Sequence, residues 1–136
     1  MSDEDIKRHI SDEFNRVSDR VVSVRGLMAA FNEIAPRRLG FFERRVISNA
    51  IKEQMADPSV QRNSGYYLGV DANGNTEAYV SSRFLQEHLT SLADTKDAKR
   101  NKDVFVRATI TAAEAVARTE DQAPKVRSGQ IKPSSP

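Results

Sequence analysis

Three side chains that could bind a metal ion recur every four residues near the start of the chain: Asp5, His9 and Glu13. A spacing of four aligns side chains along one face of a helix, so two carboxylates and an imidazole would face the same ion. Zinc and manganese accept such ligands. Because no second histidine stands at ligand spacing, the pattern is more typical of a solvated acidic helix face. We therefore expect no metal site here.

A calcium site is the next candidate, because four oxygen-bearing side chains alternate at Asp71, Asn73, Asn75 and Glu77. A calcium loop of the EF-hand type needs a glycine at its sixth position and a glutamate at its twelfth. Thr76 and Ser82 occupy those positions in this chain. The Asn73-Gly74 step instead predicts a tight β-turn, because both residues tolerate positive φ angles.

A group of basic and aromatic side chains is the best candidate for nucleic-acid binding. Its members are Arg37, Arg38, Phe41, Arg44 and Arg45. Guanidinium groups bind phosphates, and an aromatic ring can stack on a base. The alternative is that the arginines are solvated or pair with glutamates. A winged helix-turn-helix is disfavoured, because its wing would carry Asp71 and Glu77 but no lysine or arginine.

Motifs of the common enzyme classes are missing. The sequence contains no glycine-rich phosphate loop, no nucleophile elbow and no pair of histidines on one predicted helix. The chain has no cysteine, which excludes disulfides, thiol catalysis and cysteine-bound metal clusters. We therefore expect no enzymatic activity, no catalytic residues and no cofactor.

Composition indicates one domain with a modest core. The chain has 136 residues, of which 38% are apolar and 29% are charged, and its net charge is +2. The N-terminus is acidic, and no apolar run approaches the length of a membrane span or the core of a signal peptide. These features predict a protein of the cytoplasm, or of a virion assembled inside a cell, that does not bind membranes.

The first 35 residues are predicted to form one long helix. Its apolar residues alternate in steps of three and four, at Ile10, Phe14, Val17, Val21, Val24, Met28, Phe31 and Ala35. Ser2 and Asp5 can form a capping box, and Pro36 ends the run. Such a helix would be about 50 Å long, whereas a compact chain of this length is about 37 Å across. Either the helix bends at Gly26, or part of it pairs with another molecule.

Four further elements follow. A helix over residues 41–56 is expected to fold back on the second half of the long helix. A β-hairpin at 66–80 and helices at 83–93 and 104–119 complete one domain, residues 1–119. Residues 94–103 are expected to form a loop, with a solvated helical extension as the alternative. Residues 120–136 are rich in proline and serine and are expected to form a flexible tail. The predicted fold is mainly α with a minor β component, a bundle of about four helices.

These elements leave the first half of the long helix without cover. We therefore expect a partner interface at Ile10, Phe14, Val17 and Val21, with a second copy of the chain or another protein of an assembly. The favoured function is a non-enzymatic oligomerisation or assembly module, a small accessory subunit of a larger complex. Two alternatives remain: a nucleic-acid-binding regulator that uses the arginines, and an inhibitor of a cellular enzyme.

Overall fold

The computed structural model describes residues 2–41, 43–45, 47–48 and 65–133. The described chain is mainly helical with a small four-stranded antiparallel sheet, which confirms the predicted fold class at that level. The elements are α1 (Asp3–Asn15), β1 (Val21–Ser23), α2 (Val24–Ile34), a 3-10 turn (Ala35–Arg37), β2 (Tyr66–Val70), β3 (Thr76–Ser81), α3 (Ser82–Leu92), α4 (Lys96–Arg100), α5 (Lys102–Arg118), α6 (Ala123–Arg127) and β4 (Lys132–Pro133). None of the described helices is long and apolar enough to cross a membrane.

The helix predicted for residues 41–56 is described only in part. Residues 41, 43–45 and 47–48 are helical, and the remainder of the predicted range lies outside the described residues. Ile47 is buried in the main core, together with Phe31 of α2. This part of the chain therefore contributes to the core that α2 helps to form.

The start of α1 follows the prediction. Ser2 Oγ accepts a hydrogen bond from the backbone N–H of Asp5 at 3.2 Å, and Asp5 Oδ2 accepts one from the N–H of Ser2 at 3.0 Å. This reciprocal pair is a capping box. It satisfies two backbone donors that a helix leaves without partners at its N-terminus.

The prediction of one unbroken helix over residues 3–35 is wrong. Helix α1 ends at Asn15, and a turn and strand β1 separate it from α2. The turn contains Asp19 with φ of +65°, a left-handed conformation that aspartate adopts more readily than most residues. Val22 pairs with Val80 of β3, where its β-branched side chain suits a strand. Pairing of residues 21–23 with β3 therefore interrupts the predicted helix, and the steps of three and four between apolar residues do not reveal this pairing.

Gly26 lies in the first turn of α2 and does not mark a bend in a longer helix. Ser23 Oγ caps this helix by accepting a hydrogen bond from the Gly26 N–H at 2.9 Å. A Cβ atom at position 26 would lie 2.7 Å from that oxygen and 3.0 Å from Thr119 Cγ2. A side chain at position 26 would thus collide first with the Ser23 cap and also crowd Thr119, the residue that follows α5.

The sheet has the strand order β1-β3-β2-β4, with all neighbours antiparallel. Strands β2 and β3 form a hairpin in the region where one was expected. Asp71 Oδ1 accepts hydrogen bonds from the N–H groups of Asn73 and Asn75, both at 2.9 Å, and Gly74 has φ of +83°. The alternating oxygen-bearing residues therefore build the turn.

The two faces of the sheet belong to different apolar clusters. Val22, Tyr66 and Val80 share the face that packs into the main core with the helices. Tyr79 and Val21 point to the opposite face and belong to a smaller cluster. Because side chains alternate along a strand, both faces of β1 and β3 are covered.

Helix α5 is the longest described helix, and it packs against both α1 and α2. Most of its buried residues are small: Ala108, Thr109, Thr111, Ala112, Ala113 and Ala115, with larger side chains at Phe105, Val106 and Val116. The Thr109 hydroxyl donates to the Phe105 carbonyl at 3.0 Å, so this buried polar group has its hydrogen-bond partner within the same helix. Small side chains allow the neighbouring helices to approach closely.

Helices α3 and α5 lie within two residues of the boundaries predicted at each end. The loop expected at 94–103 is wrong, because α4 occupies its centre. Thr95 Oγ1 caps α4 by accepting from the Ala98 N–H at 3.3 Å, and Ala98 is buried. A side-chain cap and one buried alanine therefore accompany a short helix that the polar composition of this segment did not predict.

The flexible tail predicted for residues 120–136 is also wrong as far as Pro133. This segment forms α6 and β4, and β4 pairs with β2. Asp121 Oδ1 accepts from the N–H groups of Val21 and Ala123 at 3.1 and 3.0 Å, which ties the segment to β1. Ile131 is 3% exposed and covers the outer face of the sheet. A few specific contacts thus order a segment of low hydrophobicity.

Candidate functional site

The four residues expected at a partner interface, Ile10, Phe14, Val17 and Val21, are buried within a single chain. Ile10 is 0% exposed, and the first three belong to the main core. The structure therefore corrects the expectation that these side chains lack cover. Helix α1 is short enough to lie entirely against α3 and α5, which supply the missing apolar surface.

The basic residues expected to contact nucleic acid remain at the surface. We call Arg37, Arg38, Phe41, Arg44 and Arg45 the arginine surface. All are exposed except Arg44, which is half-buried. Arg37 ends the 3-10 turn after α2, and the Arg44 N–H donates to the Gly40 carbonyl at 3.1 Å. The end of α2 and the helical residues that follow therefore position the arginine surface.

Arg38 is held by an ion pair with Glu114 of α5, which includes a hydrogen bond from Nη2 to Oε1 at 3.2 Å. Arg118 Nη2 also lies 3.4 Å from the same Oε1 atom. Arg38 thus anchors the surface to α5, while Arg37, Arg44 and Arg45 form no ion pair with the carboxylates that the structure describes.

Phe41 is the most unusual residue of the arginine surface, because 61% of this large apolar side chain is exposed. The Arg44 guanidinium lies 6.0 Å from the centre of its ring, at the limit of a cation–π contact. Arg44 Nε is buried and has no hydrogen-bond partner among the described residues. The arrangement places a largely exposed aromatic side chain beside a guanidinium group.

The acidic residues near the N-terminus bond within the protein. Asp5 belongs to the capping box of α1 and pairs with Arg8. The pKa of Asp5 is lowered, chiefly by the hydrogen bond from the Ser2 backbone N–H. Asp3 lies 3.3 Å from Lys102 and 3.7 Å from Lys99, and the Lys102 hydrogen bond lowers the pKa of its carboxyl. Among the described residues, no three histidine or acidic side chains come close enough to hold a metal ion.

An apolar part of β2 is exposed, which the predicted assembly interface did not include. Leu68 is 39% exposed and Val70 is 66% exposed, on the strand face that also carries the buried Tyr66. Strand β4 pairs with β2 only at Tyr67 and Leu68, so Val70 lies beyond the end of that pairing. Strict alternation of the hairpin placed these side chains on one face, but only the structure shows that the helices do not cover them.

A cleft of about 550 Å³ is a further concave feature of the surface. It lies where the turn before β1, the start of α3 and helix α6 meet, and sequence reasoning did not find it. Its residues come from four separate parts of the chain, so no local spacing signals the site.

Comparisons of this chain with protein-family models, with curated proteins and with solved structures found no match.

Proposed function

We propose that this protein is a non-enzymatic binding protein that contacts single-stranded nucleic acid through the arginine surface. The observation that carries the proposal is the 61% exposure of Phe41 beside the Arg44 guanidinium. An exposed aromatic ring provides a stacking platform for a base, and adjacent arginines provide contacts for the phosphates on either side.

Charge supports the same ligand. Arg37 and Arg45 are exposed, and Glu114, the nearby carboxylate that the structure describes, pairs with Arg38 rather than with them. Long-range attraction to a polyanion depends on such free cations, since paired ones contribute little. Single-stranded nucleic acid fits better than duplex DNA, because the ring needs an unstacked base.

Replacing Arg44 and Arg45 together with alanine is expected to weaken binding to a fluorescent single-stranded oligonucleotide by at least about tenfold at low salt. Each lost phosphate contact reduces the slope of log K against log salt by about 0.7 for a single strand. Phe41→Ala is expected to weaken binding by about tenfold without changing this slope, since stacking releases no counterion. Fluorescence anisotropy over a salt series measures both quantities.

The matched control is Lys96→Ala with Arg100→Ala, which removes the same charge from α4, where both side chains are exposed. We expect this control to retain most of the affinity. Equal losses in the two double variants would show that only net charge matters. An oligonucleotide that gives no anisotropy change with the unaltered protein at low salt would remove the proposal.

Self-association is the second candidate function, and the exposed part of β2 favours it. A second copy could pair with β2 beyond the end of β4 and bury Val70 and Leu68 of both chains. Such a contact is symmetric, because the same strand contributes on each side. This candidate retains the assembly function that the sequence suggested, with a different interface.

Val70→Lys is expected to reduce self-association by at least about tenfold, because it places two like charges across a symmetric contact. Sedimentation velocity over a concentration series measures the change. Asn75→Lys adds the same charge at an exposed turn position and should leave association unchanged. An unaltered protein that stays monomeric at the highest concentration would exclude this candidate.

A further inference from the structure

The cleft between the turn before β1, the start of α3 and helix α6 has the size of a small-molecule site. Its volume of about 550 Å³ lies within the range of about 300–1,000 Å³ that is usual for ligand pockets. Tyr67, Phe84 and Val126 provide apolar lining, and Arg20, Arg83 and Arg127 provide positive charge.

Two polar groups that line this cleft are buried without a hydrogen-bond partner among the described residues. Ser82 is 1% exposed, and its Oγ atom is unpaired. Arg20 donates from Nη2 to the Thr119 carbonyl at 2.6 Å, but its Nε–H is unpaired. Buried polar groups in native proteins are almost always hydrogen-bonded, so an acceptor bound in the cleft would satisfy both donors.

The other polar features of the cleft are also mainly donors or positive. Helix α3 begins here and points its positive end at the cleft, with Ser81 as its N-cap. Glu87 lies 3.7 Å from Arg83 and offsets that charge. Asp19 is the other acidic residue of the lining. The lining therefore carries three arginines against two carboxylates.

We propose that this cleft binds a small organic anion, whose phosphate or carboxylate group is held by Arg127, Ser82 and the start of α3 and whose ring packs against Tyr67 and Val126. The anion supplies the acceptors that Ser82 Oγ and Arg20 Nε lack. The apolar lining accounts for the ring, because a bare inorganic ion would leave most of the cleft unfilled. This site is separate from the arginine surface and does not depend on its function.

Four probes test the chemistry by titration into the full-length protein, with backbone amide NMR signals as the readout. Phenyl phosphate and benzoate carry the same ring with different anions, benzyl alcohol is the neutral equivalent, and inorganic phosphate lacks the ring. We expect one or both aromatic anions to shift the signals of residues 82–84 and 127 at millimolar concentration. Benzyl alcohol and inorganic phosphate should bind at least about tenfold more weakly. Preference between the two anions identifies the class of ligand.

Two variants then locate the site. Arg127→Gln should weaken binding of the preferred anion about fivefold, whereas Lys125→Gln, an exposed control on the same helix, should not. Ser82→Ala should weaken binding without lowering thermal stability, because the hydroxyl it removes has no partner in the free protein.

Absence of shifts at residues 82–84 and 127 with both aromatic anions would overturn the proposal. Equal affinity for benzyl alcohol, or unchanged affinity in both Arg127→Gln and Ser82→Ala, would overturn it as well. A purely structural role for Ser82 would alter stability and leave the affinity unchanged.

Discussion

Replacing Ile10 with aspartate is expected to unfold the protein, because the new carboxylate would be buried in the main core without a partner. Ile10 is 0% exposed and packs where α1 meets α3 and α5. An uncompensated buried charge costs about 4 kcal/mol or more, against a total stability of about 5–15 kcal/mol for a domain of ordinary stability. Denaturant unfolding followed by circular dichroism measures the loss.

The matched control is His9→Asp, which introduces the same side chain one position earlier on an exposed face of α1. Its cost should stay below about 1 kcal/mol, chiefly from like-charge neighbours on the helix. An Ile10→Asp protein that keeps its helical signal but sediments as a smaller species than the unaltered protein would contradict the buried position. That result is expected if Ile10 and the other apolar residues of α1 faced a second molecule.

Replacing Ile131 with alanine is expected to destabilise the protein by about 2 kcal/mol, the lower end for truncating a buried isoleucine. Ile131 is 3% exposed and packs with Val21 and Tyr79 on the outer face of the sheet. Its loss would open that face and weaken the docking of α6 and β4. Denaturant unfolding at constant m-value measures the change.

Gln130→Ala provides the control for Ile131→Ala, since the neighbouring side chain is exposed. Its effect should lie within about 0.5 kcal/mol of zero. If residues 120–133 formed the free tail that their composition suggests, Ile131→Ala would be equally neutral. The pair of variants therefore distinguishes an ordered C-terminal segment from a solvated one.

Local signals in the sequence predicted local structure well. The capping box of Ser2 and Asp5 is present as predicted, and the Asn73-Gly74 step lies in the turn of a hairpin. Helices α3 and α5 have nearly the predicted boundaries. Each of these features depends on residues within a few positions of one another, so the chain specifies them without distant contacts.

For the candidate sites, too, the sequence predicted which residues belong together, and the fold decided which of them are exposed. The arginine surface could be named from sequence because its residues lie within nine positions, but its open character depends on which side chains the fold leaves exposed. Phe41 was expected at the surface and lies there, whereas Ile10 was expected to face a partner and lies in the core. Spacing predicts that a face is apolar and cannot say what covers it.

By itself, the sequence determined the mainly helical class, the start of α1, the region of the hairpin and the approximate limits of α3 and α5. Only the tertiary structure decided that residues 21–23 leave the helical path to pair with β3, that residues 120–133 cover the sheet, and that a cleft forms between distant segments. The physical reason is the range of the interactions. Capping and turn geometry act over three or four residues, whereas tertiary contacts join distant positions, such as the hydrogen bond from the Val21 N–H to the Asp121 carboxylate, 100 residues away.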